Sequence, residues 1–346
     1  MSRLAIVLFN LGGPDGPGAI KPFRVNLFSD PAIIRAPWFV RVWLSRLIAG
    51  RGAKQAVANY ALMGGKSPLL GFTQAQGRAL EAALAARTGD EVKCFIAMRY
   101  WHPFAGQTAR EVKAWTPDRV ILLPLYPQFS TTTTGSSLTN WREAAANAGL
   151  AKPTTTLCCW PDDPAFAHAY AALVDQAIET AKAQAPGQKL RVLYSAHGLP
   201  ESIVKAGDPY QAHVERSVAA VHKALNNQGL EAVICYQSRA TPQKWLEPST
   251  IQSIEAAGRA GAGVVIVPIA FVSDHIETLV ELDIENRHIA EAAKVPVYVR
   301  AQTPNAAPGF IEALAALVAR APNPGLCAGG ARCQGHQNCP WSRHAA

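Results

Sequence analysis

The sequence has no apolar stretch of about 18 residues, the length that a membrane-spanning helix needs. The longest candidate, 32–50, is interrupted by Arg35, Arg41 and Arg46. An apolar run at 4–11 is too short for the core of a signal peptide, and no cleavage site follows it. We therefore expect a cytoplasmic protein whose seven cysteines are reduced rather than joined in a disulfide framework.

Two common binding signatures are also missing. The net charge is +8, but no run of Lys and Arg reaches the density of a nucleic-acid-binding surface, so we expect no nucleic-acid partner. An evenly basic surface favours an anionic small substrate or an anionic membrane face. The glycine-rich segment 12–18 does not match G-x-G-x-x-G, and Pro14 and Pro17 remove amides that would bind a pyrophosphate. This disfavours a nicotinamide or flavin site.

Short apolar runs alternate with Ala-rich helical stretches along the 346 residues, 49% of which are hydrophobic. Chains longer than ~250–300 residues usually form two cores. Continuous apolar strands separated by helices are typical of parallel sheets covered on both faces. We predict an α/β protein with two similar Rossmann-like domains, each a four-stranded parallel sheet flanked by helices, and a cleft between them. The candidate strands are 4–11, 92–99, 120–126, 154–159, 190–196, 232–236, 264–270 and 295–299.

The domain boundaries follow from this pattern. We place the N-terminal domain at 1–153, with an apolar lip at 26–51, and the C-terminal domain at 154–305. A C-terminal helix and a cysteine-rich tail occupy 306–346. Ligands of such sheets bind beyond the carboxyl ends of the strands, so polar clusters at those ends are candidate sites.

A row of acidic side chains occurs in the segment 274–288. If the segment is an α-helix, in which each residue advances about 100°, five side chains fall within about 80° of arc and none is basic. They are Asp274, Glu277, Glu281, Glu285 and His288. The alternative is the wet face of an amphipathic helix, but such faces usually mix charges, and this one directly follows a candidate buried strand. Carboxylates in this position are suited to pass on a cation such as Fe2+, or to carry protons away.

A histidine and several aromatic residues follow other candidate strands. His197 comes directly after strand 190–196; a structural role is the alternative to accepting a proton or binding a metal. Arg99 and Tyr100 follow one strand, and Trp245 follows another. Aromatic residues in such places are usually loop anchors, but gathered round one cleft they would form a flat apolar slot with a basic rim. Such a slot suits a large planar ligand that carries carboxylates.

Three of the seven cysteines crowd into the Gly-rich tail, at Cys327, Cys333 and Cys339. A metal site accounts for them better than a buried core, because nothing apolar accompanies them. With His336 they could form a closed zinc site, and with a fourth thiolate they could bind an iron–sulfur cluster. The pair at 158–159, at the end of a candidate strand, could supply that thiolate.

The sequence resembles the ferrochelatase family along nearly its whole length. The matching segments are 10–14, 64–68, 99–103, 126–130, 133–137, 195–200, 207–210 and 268–279. The resemblance implies two Rossmann-like domains with a porphyrin in the cleft between them. It implies a lyase that inserts Fe2+ into protoporphyrin IX, releases two protons and forms protohaem in the terminal step of haem biosynthesis.

The resemblance also implies roles for individual residues. His197 corresponds to the histidine that takes protons from the pyrrole nitrogens, and Glu277 faces it across the macrocycle; both would contact the substrate Fe2+. The acidic path continues through His275, Glu281 and Glu285 on a helix with a π-type widening. The residues implied to line the porphyrin pocket are Leu11, Tyr60, Ser67, Arg99, Tyr100 and Trp245. Leu11 matches the form seen in protoporphyrin-using members.

The cysteine pattern departs from that of animal members, in which a cluster ligand lies where this chain has Thr131. Because the arrangement resembles that of bacterial members that bear a cluster, we expect a 2Fe–2S cluster held by Cys158 together with Cys327, Cys333 and Cys339. Cys159 is the alternative to Cys158, and structural zinc is the alternative to the cluster.

The segment 26–51 corresponds to the family's apolar lip at the mouth of the cleft. It interleaves Trp, Phe and Ile with arginines, which fits either a helix packed on the core or an element at a membrane interface. The expected partners are protoporphyrin IX and Fe2+, with peripheral contact at the cytoplasmic face of the inner membrane; a homodimer is left open. A cobalt chelatase for a corrin precursor and a non-catalytic porphyrin carrier are the rival functions.

Overall fold

Two parallel sheets of four strands each form the framework of the chain. The structure is a computed structural model, and it describes residues 2–227, 229–238 and 243–321. Within these residues all eight predicted strands are present, and the predicted division into four and four is confirmed.

The first sheet pairs its strands in the order β2-β1-β3-β4. The strands are β1 (Arg3–Asn10), β2 (Glu91–Met98), β3 (Arg119–Pro124) and β4 (Thr154–Thr156). The accompanying helices are α1 (Ile20–Phe28), α2 (Trp38–Arg51), α3 (Ala53–Ala61), α4 (Leu69–Thr88), α5 (Ala105–Trp115) and α6 (Ser136–Ala148). A 3-10 turn at Pro17–Ala19 precedes α1, and a π-helix at Thr131–Gly135 leads into α6.

The second sheet repeats this arrangement in the order β6-β5-β7-β8. Its strands are β5 (Leu190–His197), β6 (Glu231–Gln237), β7 (Gly263–Val267) and β8 (Tyr298–Arg300). The helices are α7 (Pro164–Gln184), α8 (Glu201–Lys205), α9 (Tyr210–Ala224), α10 (Thr250–Arg259), α11 (Asn286–Ala292) and α12 (Pro308–Ala319), with a π-helix at Glu277–Glu285 directly before α11.

The first strand of each sheet is central, with a parallel neighbour on both sides. β1 is buried throughout Leu4–Asn10, and β5 is buried except for Arg191 and His197. Helices on both faces exclude water from such strands, which explains their continuous apolar sequence. His197 is therefore the residue at which β5 leaves the buried sheet.

The boundary between the two compact units falls after Cys159, rather than after residue 153 as expected. β4 belongs to the first sheet because Thr154 and Thr155 pair with Val120 and Ile121 of β3. The second unit is Trp160–Ala313, and the segment that begins at Leu314 joins the first.

The last strand begins later than predicted, at Tyr298 instead of Val295. The amide of Val295 donates to the carbonyl of Ala290 at 2.9 Å, and Lys294 has a φ of 58°. This is the usual closure of a helix C-terminus by a left-handed residue. Val295 thus ends α11 before the chain becomes extended.

In the ranges that the structure describes, no helix is both long and apolar enough to cross a membrane.

Candidate active site

His197 and Glu277 meet at the carboxyl edge of the second sheet. His197 ends β5, and the chain that leaves the neighbouring strand β7 enters the π-helix at Glu277. His197 Nδ1 lies 3.0 Å from Glu277 Oε2, and the two side chains are 40% and 30% exposed. Two adjacent parallel strands deliver their following residues to one edge of the sheet. The family resemblance implies that Glu277 faces His197, and in this structure the two side chains are in direct contact.

Glu277 favours the protonated form of His197. Burial disfavours the imidazolium, but the charge and hydrogen bond of Glu277 outweigh it, with help from Glu281, and raise the pKa of His197. Burial would raise the pKa of Glu277, but His197 brings it down to about 2. Donation from Nδ1 to Glu277 leaves Nε2 of a neutral His197 as the acceptor. His197 is thus a stronger base than an isolated imidazole, because Glu277 stabilises its protonated form.

The turn after His197 depends on Gly198 and Trp245. The amide of Gly198 donates to the carbonyl of Gln237 at 2.7 Å, and a Cβ on Gly198 would lie at the same distance from that oxygen. No other residue fits without moving the strands apart. Trp245 is buried and also lies next to Gly198. The structure therefore places Trp245, which the resemblance implies to line the pocket, against the turn that follows His197.

Glu281 is held by three donors from the end of β6. The amide and hydroxyl of Ser238 donate to its carboxylate at 3.0 and 2.5 Å, and Gln237 Nε2 donates at 3.1 Å. Ser238 has a φ of 63°. Burial, followed by the like charge of Glu277, raises the pKa of Glu281 against these hydrogen bonds. The sequence analysis missed Gln237 and Ser238 as site residues. The signal that could have found them is that they directly follow a predicted strand.

His275 belongs to the same cluster, but its ring is engaged. Nδ1 accepts from the amide of Glu277 at 3.1 Å, and the ring packs edge-on against Phe271. Burial lowers the pKa of His275. A neutral His275 thus holds the first residue of the π-helix in place.

The outer members of the predicted acidic row do not face His197. Asp274 precedes the helix and pairs with Arg300 at 3.1 Å, while Asn305 donates to its other oxygen at 3.0 Å. Arg300, on β8, thus supplies a basic partner to the predicted row of four carboxylates and one imidazole. Glu285 and His288 are exposed. The predicted acidic face of the helix assumed α-helical spacing, but the segment Glu277–Glu285 is a π-helix. The π-type widening implied by the family resemblance is therefore confirmed.

A second cluster lies at the carboxyl edge of the first sheet. Asp30 is buried and accepts from Arg99 at 2.8 Å, from the hydroxyl of Tyr100 at 2.8 Å and from the hydroxyl of Ser136 at 2.5 Å. Tyr100 is itself fully buried, and its hydroxyl joins Asp30 to this edge of the sheet. The sequence analysis missed Asp30; the signal was that it is the single acid between residues 16 and 80.

Three further residues of the implied porphyrin pocket lie near that edge. Leu11 is partly buried, and its carbonyl accepts from the amide of Tyr100 at 2.9 Å. The amide of Ser67 donates to the carbonyl of Pro14 at 2.7 Å. Tyr60 is buried, and its carbonyl accepts from the amide of Gly65 at 2.8 Å. The implied catalytic residues thus belong to the second unit, and these implied binding residues to the first.

The cysteines are only partly described. Cys158 is buried in the core of the first unit, and its Sγ lies 3.7 Å from that of the partly exposed Cys159. Cys327, Cys333, Cys339 and His336 lie outside the described residues. Across the described ranges, no three or more His, Cys, Asp and Glu side chains form a group suited to hold a resident metal ion.

The family model and the curated relatives indicate one family. The family model described as ferrochelatase matches residues 3–321. The ferrochelatase of Caulobacter vibrioides is 51% identical over 99% of this chain and 96% of its own length, and that of Phenylobacterium zucineum is 54% identical over 90% of each. Among solved structures, SirB from Bacillus subtilis with Fe3+ has a TM-score of 0.52 over 92% of this chain and 95% of its own, at 13% identity, which shows a shared fold. With a His–Glu pair at the carboxyl edge of a Rossmann-like sheet and relatives this similar along nearly its whole length, the chain belongs to the ferrochelatase family.

Proposed function

We propose that this ferrochelatase-family chain inserts Fe2+ into protoporphyrin IX with release of two protons, and that His197 and Glu277 carry the reaction. The observation that supports these roles is their 3.0 Å hydrogen bond at the sheet edge. Mixing the purified chain with Fe2+ and protoporphyrin IX without oxygen should produce the absorption spectrum of haem. Tight porphyrin binding without haem formation would instead indicate a carrier.

The pair provides a route for the pyrrole protons. A neutral His197 accepts a proton at Nε2 while its Nδ1–H remains directed at Glu277. The resulting imidazolium is stabilised by the Glu277 carboxylate beside it. Glu281, fixed by Ser238 and Gln237, offers a further carboxylate whose raised pKa suits it to take over a proton.

We also propose that α2 contacts a membrane surface. The residues of α2 that are buried are Ser45 and Ala49, whereas Trp38, Phe39 and Trp43 are 71%, 61% and 62% exposed. A helix packed on the core would show the reverse distribution. Large exposed aromatic side chains next to arginines are typical of an interfacial helix.

Replacing Trp38, Trp43 and Leu47 with Ser should weaken binding to liposomes of anionic lipid at least tenfold. A large apolar side chain contributes roughly 1.5–3 kcal/mol when it leaves water, so the loss of two exposed tryptophans alone accounts for this effect. Co-sedimentation measures it, and Ile251→Ser, at an exposed apolar position on α10, is the matched control. A large drop in melting temperature of the triple variant would show that these residues belong to the core.

For the tail, we propose a 2Fe–2S cluster with Cys327, Cys333, Cys339 and Cys158 as ligands. Support comes from the two neighbouring thiols after β4 and from the thiolate-rich composition of the tail. Cys158 has no exposed surface, whereas its neighbour Cys159 is partly exposed. Cys159 is therefore the alternative fourth ligand.

The purified protein should be reddish-brown and should contain about two irons and two sulfides per chain. Cys158→Ser should bleach it and lower its melting temperature, because binding of a metal group is coupled to folding. Cys159→Ser tests the alternative ligand, and Cys94→Ser, at a partly buried position on β2, is the control that should keep its colour. One zinc per chain without sulfide would refute the cluster.

A further inference from the structure

The π-helix Glu277–Glu285 receives hydrogen bonds from side chains outside its own ladder. Gln237 Nε2, at the end of β6, donates to the backbone carbonyl of Glu277 at 3.1 Å. The hydroxyl of Tyr298, at the start of β8, donates to the carbonyl of Leu282 at 2.8 Å. The two edge strands of the sheet, β6 and β8, thus both contact the backbone of the same helix.

The local sequence does not explain the π form. The segment from Glu277 to Glu285 contains no Gly or Pro and is rich in Leu and Glu, which are good α-helix formers. Long π-helices are rare, since most are single turns inserted in α-helices. The cause must therefore lie in tertiary contacts.

The hydrogen bond from the Tyr298 hydroxyl replaces the backbone bond that the carbonyl of Leu282 would accept in an α-helix. In an α-helix, the carbonyl of Leu282 accepts from the amide four residues later, which belongs to Asn286. Here the amide of Asn286 donates to the carbonyl of Glu281 instead. Leu282 is buried, so its carbonyl needs another donor. The Tyr298 hydroxyl is that donor.

Gln237 and Tyr298, the two donors that clamp the backbone of the helix, are themselves held by neighbouring contacts. Gln237 is buried, and its Oε1 accepts from the hydroxyl of Ser195 at 2.8 Å, which directs its amide nitrogen at the helix. Arg300, on the same strand as Tyr298, donates to Asp283 at 2.8 Å. The helix is thus tied at two consecutive residues to β8.

We propose that Gln237 and Tyr298 are positioning residues for iron insertion: they hold this helix in the π form and thereby set Glu277 and Glu281 against His197. The proposal rests on the roles proposed above for His197 and Glu277. If the helix lost its π-type widening and became α-helical, Glu277 and Glu281 would rotate relative to α11. The reason is that each residue advances about 100° around an α-helix. Neither positioning residue needs to touch the porphyrin.

Tyr298→Phe removes one oxygen atom and tests the clamp. We expect kcat for iron insertion to fall at least tenfold with the KM for porphyrin within twofold of wild type. Hydrogen–deuterium exchange in the peptide that covers 277–292 should become at least tenfold faster below the unfolding temperature. Gln237→Met, which loses the amide donor without adding a charge beside Glu281, should have the same effects.

Tyr194→Phe is the matched control, because it loses a buried hydroxyl contact, with His222 at 3.2 Å, without touching the π-helix. It should keep its kcat and its exchange in 277–292, whatever its melting temperature. Unchanged exchange in Tyr298→Phe would overturn the clamp. Faster exchange with a wild-type kcat would overturn the positioning role; if Glu277→Gln were then also fully active, the failure would lie in the role given to Glu277.

Discussion

Replacing His197 with Ala should lower the rate of iron insertion by ~10²–10⁴-fold, the usual cost of losing a general base. The imidazole ends β5 and is held by Glu277 through Nδ1. In the proposed mechanism Nε2 accepts the pyrrole proton. Porphyrin binding should remain, because five of the six residues implied to line the pocket belong to the first unit: Leu11, Tyr60, Ser67, Arg99 and Tyr100. Fluorescence quenching of bound protoporphyrin and the rate of haem formation measure the two properties separately.

His168→Ala provides the control for His197. His168 is an exposed histidine of α7 whose Nδ1 contacts the carbonyl of Pro164 at 2.7 Å, away from the catalytic pair. It should retain wild-type activity. If His197→Ala keeps a rate within tenfold of wild type, His197 is not the base.

Glu277→Gln should reduce iron insertion by roughly 10²-fold or more, since it removes the charge that stabilises protonated His197 while it preserves the shape of the side chain. Glu285→Gln should stay within a few-fold of wild type. Glu285 lies on the same π-helix but is exposed, whereas Glu277 is bonded to His197. Steady-state rates with Fe2+ and protoporphyrin IX compare the two variants directly.

Equal and mild losses in Glu277→Gln and Glu285→Gln would contradict this difference. That result would mean that the acidic row is only a solvated face of the helix. Glu281→Gln adds a graded test, because its carboxylate lies between the two along the helix and is held by Ser238 and Gln237. We expect its loss of rate to be intermediate.

The strands and the place of His197 could be predicted because each depends on local sequence. Central buried strands need continuous apolar runs, and the residue after such a run must lie at the sheet edge. The partner of Asp274 could not be predicted in this way, because Arg300 is 26 residues away and its contact depends on the pairing of β8 with β7.

The helix that carries the acidic residues shows a second limit. The pattern of Glu277, Glu281 and Glu285 fits an α-helix, and no residue in it signals a π-helix. The hydroxyl that replaces the missing backbone donor is supplied by Tyr298, beyond the end of the helix. Asp30 is similar, since its partners Arg99 and Ser136 come from distant parts of the chain. Sequence patterns thus located the edges of the sheets but not the side chains that connect them.

Glu277 is held at three points: its amide by His275, its carbonyl by Gln237 and its carboxylate by His197. Such a residue has little freedom to reach towards an arriving cation. A cation that binds the Glu277 carboxylate must therefore share it with His197, whose Nδ1 already contacts Oε2. A second positive charge at that carboxylate would oppose the imidazolium, so cation binding should lower the pKa of His197.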